Sequence, residues 1–176
     1  MKNNQQKEFI KLYDPIHNQL FGFCRAISGN VQDAEDLMQD TVLTAIEGFK
    51  KLRDKSAFKS YLFSVACNLN KMKARRKKFR AEFNKQELMQ LSDSSKNPES
   101  LVDFQIIHEK MLKLPARMAE TLVLFHICDM SLEDISKIQG GSLSGVKLRL
   151  KRGRKKLLSM LNSPSEMKKA LLFLTI

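Results

Sequence analysis

The chain has 176 residues, which is enough for one mid-sized domain or two small ones. Apolar residues make up 43% of it, so ordinary hydrophobic cores are expected and a wholly disordered chain is excluded. Thirty-one Lys and Arg against 19 Asp and Glu leave a formal charge of +12, which favours a polyanionic partner, either nucleic acid or an anionic membrane surface.

The three cysteines, Cys24, Cys67 and Cys128, are odd in number, far apart and without a CxxC pattern. A disulfide framework and a zinc site are therefore not expected, and the thiols are interpreted as small buried groups in a reducing cytoplasm. The polar N-terminus lacks the apolar run of a signal peptide, and no run of about 18 apolar residues is present. We expect a cytoplasmic protein with no membrane insertion and no cofactor.

Apolar residues recur with helical spacing along nearly the whole chain, and strand-like alternation is not sustained. The first predicted helix spans about residues 6–27, with Pro15 as a kink or a break. A second helix runs from the predicted N-cap Asn30 to about Phe49, and a third begins near Ala57 and extends past Lys78. The apolar stripe of the first helix contains Phe9, Ile10, Tyr13, Leu20, Phe23, Cys24 and Ile27.

The polar, Ser-rich stretch LSDSSKNPES at residues 91–100 predicts a linker. We place an N-terminal domain at residues 6–83, the linker at 84–100 and a C-terminal domain at 101–162. Residues 163–176 form a C-terminal extension, which we expect to pack on the last domain, with a site for a regulator as the alternative.

The C-terminal domain is predicted to contain one helix at residues 101–112 and another that begins at Leu114-Pro115. A short helix capped by Ser131, a tight Gly140-Gly141 turn and a long helix capped by Ser142 then follow the order of a helix-turn-helix. The expected fold class is therefore all-α, with two small helical domains joined by a flexible linker, the second a helix-turn-helix.

The second predicted helix carries a locally acidic surface, with four acids and no base between Val31 and Asp40. Its apolar residues share one face, and the acids lie outside that face. Spacing alone leaves two interpretations open: a solvated helix start whose acids complement the helix dipole, or a docking surface for a basic partner protein. The acids are Asp33, Glu35, Asp36 and Asp40.

A first basic track, Lys71–Arg80, reads KMKARRKKFR and has seven basic residues in ten and no acid. Because like charges three or four residues apart on a helix repel one another, a polyanionic partner explains this track better than helix stability does. Tyr61 and Phe63 lie a few turns upstream. They suit stacking on unpaired bases, with burial of one or both in the core as the alternative.

A second basic track, Lys147–Lys156, reads KLRLKRGRKK and is again basic at seven of ten positions. It lies on the second helix of the predicted helix-turn-helix, which presents its first turns to base edges in the major groove. We expect bases near Ser144, Lys147, Leu148 and Lys151, and phosphates near Arg152, Arg154 and Lys155. A basic solvated helix is the alternative. Gly153 is expected to allow close helix packing.

Two blocks of sequence resemble the extracytoplasmic-function sigma factors of bacterial RNA polymerase. Region two of that family is resembled by Ala34-Glu35-Asp36-Leu37, Gln39-Asp40-Thr41, FKSYLF at 58–63, Asn68 and Arg75-Arg76. Region four is resembled by Leu114-Pro115, Glu120, SLEDI at 131–135 and VKLRL at 146–150. The blocks stand in the right order, and they cover most of residues 9–161.

The resemblance implies a role for each surface. The acidic helix would dock on the clamp helices of the largest subunit of core RNA polymerase, through Asp33, Glu35, Asp36, Gln39 and Asp40. The third helix would open the −10 promoter element and hold its non-template strand, through Lys59, Tyr61, Asn68, Lys71, Arg75 and Arg76. The helix-turn-helix would read the −35 element as duplex DNA, through Ser142, Ser144, Lys147, Leu148, Lys151, Arg152, Arg154 and Lys155. An anti-sigma factor is the implied regulator.

Some residues depart from the family pattern. Tyr61 stands where Trp is usual, Met72 where Asp is usual, and Gln139 and Gly141 where apolar residues are usual. In the recognition helix, Gly145 stands where Thr is usual and Leu148 where Ser is usual, so two polar side chains near the bases are missing. These changes bear on the promoter sequence more than on the function.

Three other kinds of protein remain as alternatives. A stand-alone helix-turn-helix regulator explains the C-terminal half but leaves the acidic helix and the first basic track unused. A membrane-surface protein is disfavoured because the basic helices lack an apolar face with Trp, Phe and Leu. An enzyme is the least expected class, since His17, His108 and His126 are scattered and the sequence shows no phosphate loop or metal-ligand cluster.

Overall fold

The computed structural model describes residues 2–83 and 99–175, with side chains described for 5–76, 105–172 and Leu174. Within these residues the chain forms α-helices and short 3-10 turns, and no strand. The all-α prediction is confirmed. The part of the predicted linker at 84–98 lies outside the described residues, as do the side chains of the first basic track from Lys77 onward.

Four helices build the N-terminal half: α1 (Lys2–Tyr13), α2 (His17–Ile27), α3 (Val31–Gly48) and α4 (Phe58–Phe83). The single first helix of the prediction is two helices, because Asp14–Ile16 forms a 3-10 turn around Pro15. The placement of Ile10 in the apolar stripe is wrong. Phe9 is buried, but Ile10, about 100° further around α1, is 53% exposed.

Local signals in the sequence fix the ends of these helices. Asn30 is the N-cap of α3: its Oδ1 accepts a hydrogen bond from the backbone N–H of Asp33 at 2.7 Å. Three aromatic rings, Phe9, Phe49 and Phe58, then join α1 to the end of α3 and the start of α4. Their centroids lie 5.2–5.6 Å apart and their planes are nearly perpendicular, the edge-to-face arrangement that aromatic pairs favour.

The C-terminal half contains α5 (Glu99–Leu112), α6 (Ala116–His126), α7 (Leu132–Gln139), α8 (Leu143–Ser159) and α9 (Pro164–Thr175). The caps Ser131 and Ser142 are confirmed, since each side-chain oxygen accepts from a backbone N–H three residues on. Gly153 is buried where α8 packs on α6, but a Cβ placed there would lie 3.4 Å from Leu122, which is an ordinary van der Waals contact, so the close packing does not depend on a glycine.

The α7–α8 turn explains one departure from the family pattern. Gly140 has a φ of 70° and Gly141 a φ of 108°, backbone conformations that residues with a Cβ rarely adopt. Gly141 therefore serves the geometry of the turn. The two glycines allow the short helix α7 to be followed at once by α8, as a helix-turn-helix requires.

The C-terminal extension forms α9, which packs on α5 and α8, and Ala170 and Leu174 are buried. Our expectation that the extension packs on the last domain is confirmed. The two halves also pack on one another: α4 contacts α7, and α2 contacts α5 and α6. The structure is thus a closed arrangement of two helical units.

Candidate polymerase and nucleic-acid interfaces

Helix α3 carries a buried face and an acidic exposed face, as the spacing predicted. Ala34, Leu37, Met38, Thr41 and Ala45 are buried, and Val42 is half-buried. All five predicted docking residues are exposed: Asp33, Glu35, Asp36, Gln39 and Asp40. The exposed face is therefore free of the core and accessible to a partner with positive charge.

Two of these acids also have partners within the chain. The Asp33 carboxylate accepts a hydrogen bond from the Asn30 amide at 3.1 Å, which reinforces the helix cap. Asp40 forms an ion pair of 3.2 Å with Lys73 of the first basic track. Both members of that pair are substantially exposed, so the pair contributes little to stability. Glu35 and Asp36 lie between them at the centre of the acidic face.

The predicted −10 residues of α4 are distributed around the helix. Lys59, Asn68, Arg75 and Arg76 are exposed, whereas Lys71 is half-buried. The side chains of Arg75 and Arg76 are the last described in the first basic track. The exposed cations suit an electrostatic track for a phosphate backbone, as single-strand binding requires.

Tyr61 is held against the end of α3. Its hydroxyl donates a hydrogen bond to the carbonyl of Ala45 at 3.2 Å, and a Cβ on Gly48 would clash with that hydroxyl oxygen. The ring is half-buried, and partial burial raises the pKa of the phenol. Phe63 is fully buried and packs edge-to-face on Phe23 at 5.4 Å. Of the two aromatics, Phe63 is a core residue, and Tyr61 lies at the edge of the core.

The exposed side of α8 carries the predicted −35 residues in the helix-turn-helix. Its buried side packs on α6 and α7 through Val146, Leu150, Gly153 and Leu157. Leu148 is 46% exposed among the cations, as contact with a thymine methyl requires. The exposed members of the predicted set are Ser142, Ser144, Lys147, Leu148, Lys151, Arg152 and Lys155.

Arg154 is placed differently from the other predicted phosphate contacts. Its Nε and Nη2 both lie 3.2 Å from Nε2 of His126, and its guanidinium lies over the Phe125 ring at 5.5 Å. Burial and the nearby Arg154 charge lower the pKa of His126 to about 4, so the imidazole is neutral at pH 7. Arg154 therefore ties α8 to the end of α6 in this structure.

A polar seam between the two halves was not predicted. We call it the interdomain seam: Gln19, Ser64, Cys67 and Asn70 on the N-terminal side, and Glu120, Cys128, Ile138 and Gln139 on the C-terminal side. Ser64 Oγ donates to the carbonyl of Ile138 at 3.0 Å, and the Gln19 amide donates to the carbonyl of Cys128. The Cys128 thiol lies 3.9 Å from the carbonyl of Gln19.

Glu120 is the buried centre of the seam. It is 0% exposed, and it accepts hydrogen bonds from Asn70 at 3.2 Å and from Gln139 at 3.4 Å. Burial raises the pKa of its carboxyl, and the hydrogen bond from Asn70 opposes that rise. Gln139 also accepts from Thr121 at 2.9 Å, so the polar residue at a usually apolar position belongs to this network. The presence of Gln139 at a usually apolar position was the one sign of the seam in the sequence.

Among the described residues, no group of three or more His, Cys, Asp and Glu is placed to hold a metal ion. None of the helices in the same part of the chain is long and apolar enough to cross a membrane. The three cysteines are buried and free, and burial raises the pKa of Cys24 and of Cys128 to about 12.

Comparison with known proteins identifies both halves. The family described as Sigma-70 region 2 matches residues 12–80, and Sigma-70, region 4 matches residues 104–157. The chain is 27% identical over 169 residues to the ECF RNA polymerase sigma factor SigW of Bacillus subtilis, covering 89% of this chain and 90% of that protein. It is 28% identical over 142 residues to EcfG of Rhodopseudomonas palustris, covering 81% and 78%.

Solved structures share the fold. The chain superposes with a TM-score of 0.70 and 24% identity on the sigma factor RpoE of Bartonella quintana, solved in complex with the anti-sigma factor NepR, over 88% of this chain and 96% of that one. It superposes with a TM-score of 0.66 and 21% identity on CnrH, solved with the cytosolic domain of CnrY, over 88% of each chain. Two family matches that together cover more than half of the chain, with relatives aligned over nearly its whole length, place this chain in the sigma-70 family as an RNA polymerase sigma factor of the extracytoplasmic-function type.

Proposed function

We propose that this sigma factor divides promoter recognition between its two basic helices, α4 for the −10 element and α8 for the −35 element. The observation that carries this proposal is the placement of the cations. Fourteen of the 31 Lys and Arg occupy two ten-residue tracks, one in each half. Two of the four described cations of the first track and five of the seven cations of the second track are exposed.

The N-terminal unit, residues 6–83, would bind core polymerase through the acidic face of α3. Glu35 and Asp36 lie at the centre of that face and are exposed. Asp33, Gln39 and Asp40 would surround them. Two segregated surfaces of opposite charge suit one unit that contacts a protein and DNA at the same time.

In the same unit, α4 would hold the non-template strand of the opened −10 element. Lys59, Asn68, Arg75 and Arg76 are exposed for contacts with that strand, with Lys71 beside them. Tyr61, which lies upstream of the first basic track, would supply a stacking surface after its hydroxyl leaves the carbonyl of Ala45.

The C-terminal unit, residues 101–162, would read the −35 element as a duplex. The first turns of α8 expose Ser144, Lys147 and Leu148 to base edges, and Lys151 follows one turn on. Arg152 and Lys155 would contact phosphates, and Ser142 would do so from the cap position. In this structure Arg154 donates a hydrogen bond to His126, so Arg154 would have to leave His126 before it could contact a phosphate.

We further propose that the protein acts in the cytoplasm, without catalysis of its own and without a cofactor, and that an anti-sigma factor regulates it. Two lines of support favour the regulator. The five predicted docking residues of α3 are exposed, and the two solved proteins that share this fold were captured with partners, the anti-sigma factor NepR and the cytosolic domain of CnrY.

The experiment that tests this function is transcription by purified bacterial core polymerase, with and without the protein, on fragmented genomic DNA. We expect new discrete transcripts whose start sites share an upstream sequence. An absence of both transcripts and core binding would contradict the proposal and favour a stand-alone helix-turn-helix regulator. Tight binding to duplex DNA without polymerase would point the same way.

A further inference from the structure

We propose that His126 lowers the DNA affinity of α8 by holding Arg154 away from the phosphate that it would otherwise contact. The inference rests on the proposed −35 role of α8. It goes beyond that role because it assigns a regulatory task to a residue at the end of α6, outside the helix that is proposed to read DNA. Both residues belong to the C-terminal unit, so the contact is internal to that unit.

Arg154 stands in a row of three cations along one side of α8. Lys147, Lys151 and Arg154 are four and three residues apart, the spacing that brings side chains together on a helix surface. At a rise of ~1.5 Å per residue, the row covers about 10 Å of the helix axis. Lys147 and Lys151 are exposed, whereas Arg154 is half-buried. The position of Arg154 on the helix suits a contact with DNA, but its side chain is engaged within the protein.

The end of α6 provides that engagement. Arg154 Nε and Nη2 each lie 3.2 Å from Nε2 of His126, and the guanidinium lies 5.5 Å from the centre of the Phe125 ring. Burial and the Arg154 charge lower the pKa of His126 to about 4, so at pH 7 the imidazole is neutral and its Nε2 accepts from the guanidinium. The last turn of a helix also carries partial negative charge, which attracts a cation. Three interactions thus hold Arg154 on α6.

The guanidinium remains attractive to an anion because its charge is not neutralised. His126 is uncharged, and no ion pair between Arg154 and an acidic residue is present among the described residues. A phosphate offers Arg154 an opposite charge and two oxygens in bidentate geometry, neither of which one imidazole nitrogen can supply. We therefore expect Arg154 to exchange His126 for a phosphate when α8 binds DNA.

This exchange lowers the affinity for DNA. When only a fraction of the molecules is in the binding-competent form, the apparent affinity for the ligand is reduced in proportion to that fraction. If Arg154 leaves His126 in about one molecule in ten, the affinity that includes the Arg154 contact is about tenfold lower than it would be without the histidine. His126 therefore sets how much the phosphate contact adds to the binding of α8, although it does not itself contact DNA.

The contact itself is tested on the full chain without DNA. NMR measures the rate at which the Arg154 Nε–H exchanges with water, and the loss of this signal in Arg154→Gln assigns it. His126→Leu removes the acceptor and keeps a side chain of similar size, so we expect exchange at least about fivefold faster. His126→Gln retains a neutral acceptor and should exchange like the unaltered protein. Equal rates in His126→Leu and the unaltered protein would overturn the proposal.

The effect on DNA is measured with the full chain bound to core polymerase. The probe is a double-stranded promoter fragment recovered in the transcription experiment, and the same fragment with shuffled −35 bases is the reference. His126→Leu should raise the affinity for the promoter about threefold to tenfold. His126→Glu introduces a charged acceptor and should lower that affinity, whereas His126→Gln should stay close to the unaltered protein.

Arg154→Gln shows whether these effects act through Arg154. On its own, this substitution should make the slope of log affinity against log salt shallower by about 0.9, the value of one lost phosphate contact. In the Arg154→Gln background, His126→Leu should no longer raise the affinity. A gain that persists without Arg154 would overturn the proposal. So would a loss of affinity in His126→Leu alone, because His126 would then orient Arg154 toward the phosphate.

Failure of this inference and failure of the proposed function give different results. If every form binds the promoter and the shuffled fragment equally, α8 does not read the −35 element, and the proposed function fails together with the inference. If the promoter is preferred but Arg154→Gln and His126→Leu both leave its affinity unchanged, Arg154 contacts no phosphate. The inference then fails alone, and the −35 role of the other residues of α8 is unaffected.

Discussion

The carboxylate of Asp40 on α3 lies 3.2 Å from the ammonium group of Lys73 on α4. The acidic face proposed to bind polymerase and the basic track proposed to bind DNA therefore meet at one exposed ion pair. Such a pair is weak in water, so either surface is free to exchange it for an external partner. The two surfaces are adjacent, and contacts made by one lie within the electrostatic range of the other.

Reversal of charge at the centre of the acidic face should weaken polymerase binding. Asp36 is exposed, so Asp36→Arg is expected to raise the Kd for core polymerase by about tenfold or more while the helix content stays unchanged. Glu47→Arg, the same change at an exposed position three turns along α3, is the matched control. Equal affinities for the Asp36 variant and the unaltered protein, measured by fluorescence anisotropy, would rule out the docking role.

Removal of one cation from the first turns of α8 should affect promoters and not polymerase. Lys147 is exposed near the start of α8, and Lys147→Ala is expected to cost about 1–3 kcal/mol of promoter affinity. Transcript yield on a cognate promoter measures this loss, and core binding serves as the internal reference. Lys113→Ala removes an exposed cation outside the helix-turn-helix and should change neither quantity.

Substitutions of Tyr61 should separate the role of its hydroxyl, which bonds to Ala45, from the role of its ring, which is proposed to stack on an unpaired base. Tyr61→Phe loses only the hydroxyl that bonds to Ala45, and it should retain promoter opening because the ring remains available for stacking. Tyr61→Ala should abolish opening of the −10 element, as followed by permanganate reactivity of unpaired thymines. Full opening by the Ala variant would show that the aromatic ring serves the fold alone.

The α7–α8 turn should be sensitive to any Cβ. Gly141 has a φ of 108°, so Gly141→Ala is expected to lower the free energy of unfolding by about 1–3 kcal/mol. Gly29→Ala introduces a Cβ with no atom within 4 Å and should be nearly neutral. Chemical denaturation of both variants distinguishes strain in the turn from the effect of the substitution on the unfolded chain, which is stabilising and is shared by both variants.

Acidification should weaken the contact between α8 and α6. His126 has a pKa of about 4 in the folded chain against 6.5 for an ordinary imidazole, so the unfolded chain binds its proton first as the pH falls. The stability that neutral His126 contributes is present above pH 6.5 and is lost progressively toward pH 4. His126→Gln should flatten this part of the stability profile in denaturation experiments, and an unchanged profile would exclude His126 as its source.

Much of the fold was predictable because local rules decide it. The caps Asn30, Ser131 and Ser142, the turn at Gly140-Gly141 and the buried face of α3 all follow from residue type and spacing, and the structure confirms them. The break at Pro15 was one of the two alternatives that the proline predicted. The exposure of Ile10 was not predicted, because periodicity alone does not define which side of α1 meets the rest of the core.

The candidate surfaces were predictable to a similar extent, since charge clusters are visible in sequence. The pairing of Arg154 with His126 and the seam around Glu120 were not, because each joins residues far apart in the chain through one or two contacts. Asn70 lies 50 positions from Glu120, and neither residue stands out by its type. Such tertiary contacts between polar groups leave almost no periodic signal.

The packing of α9 on α5 has a consequence for the order in which the molecule is made. Helix α9 follows α6, α7 and α8 in the chain, so α5 gains its cover only after those three helices have been synthesised. All helices of the N-terminal unit have by then left the ribosome, and an N-terminal unit can fold while the rest is being synthesised. A newly made molecule therefore passes through a period in which α4 can be folded while α7, which packs on it in the finished molecule, has not yet been made.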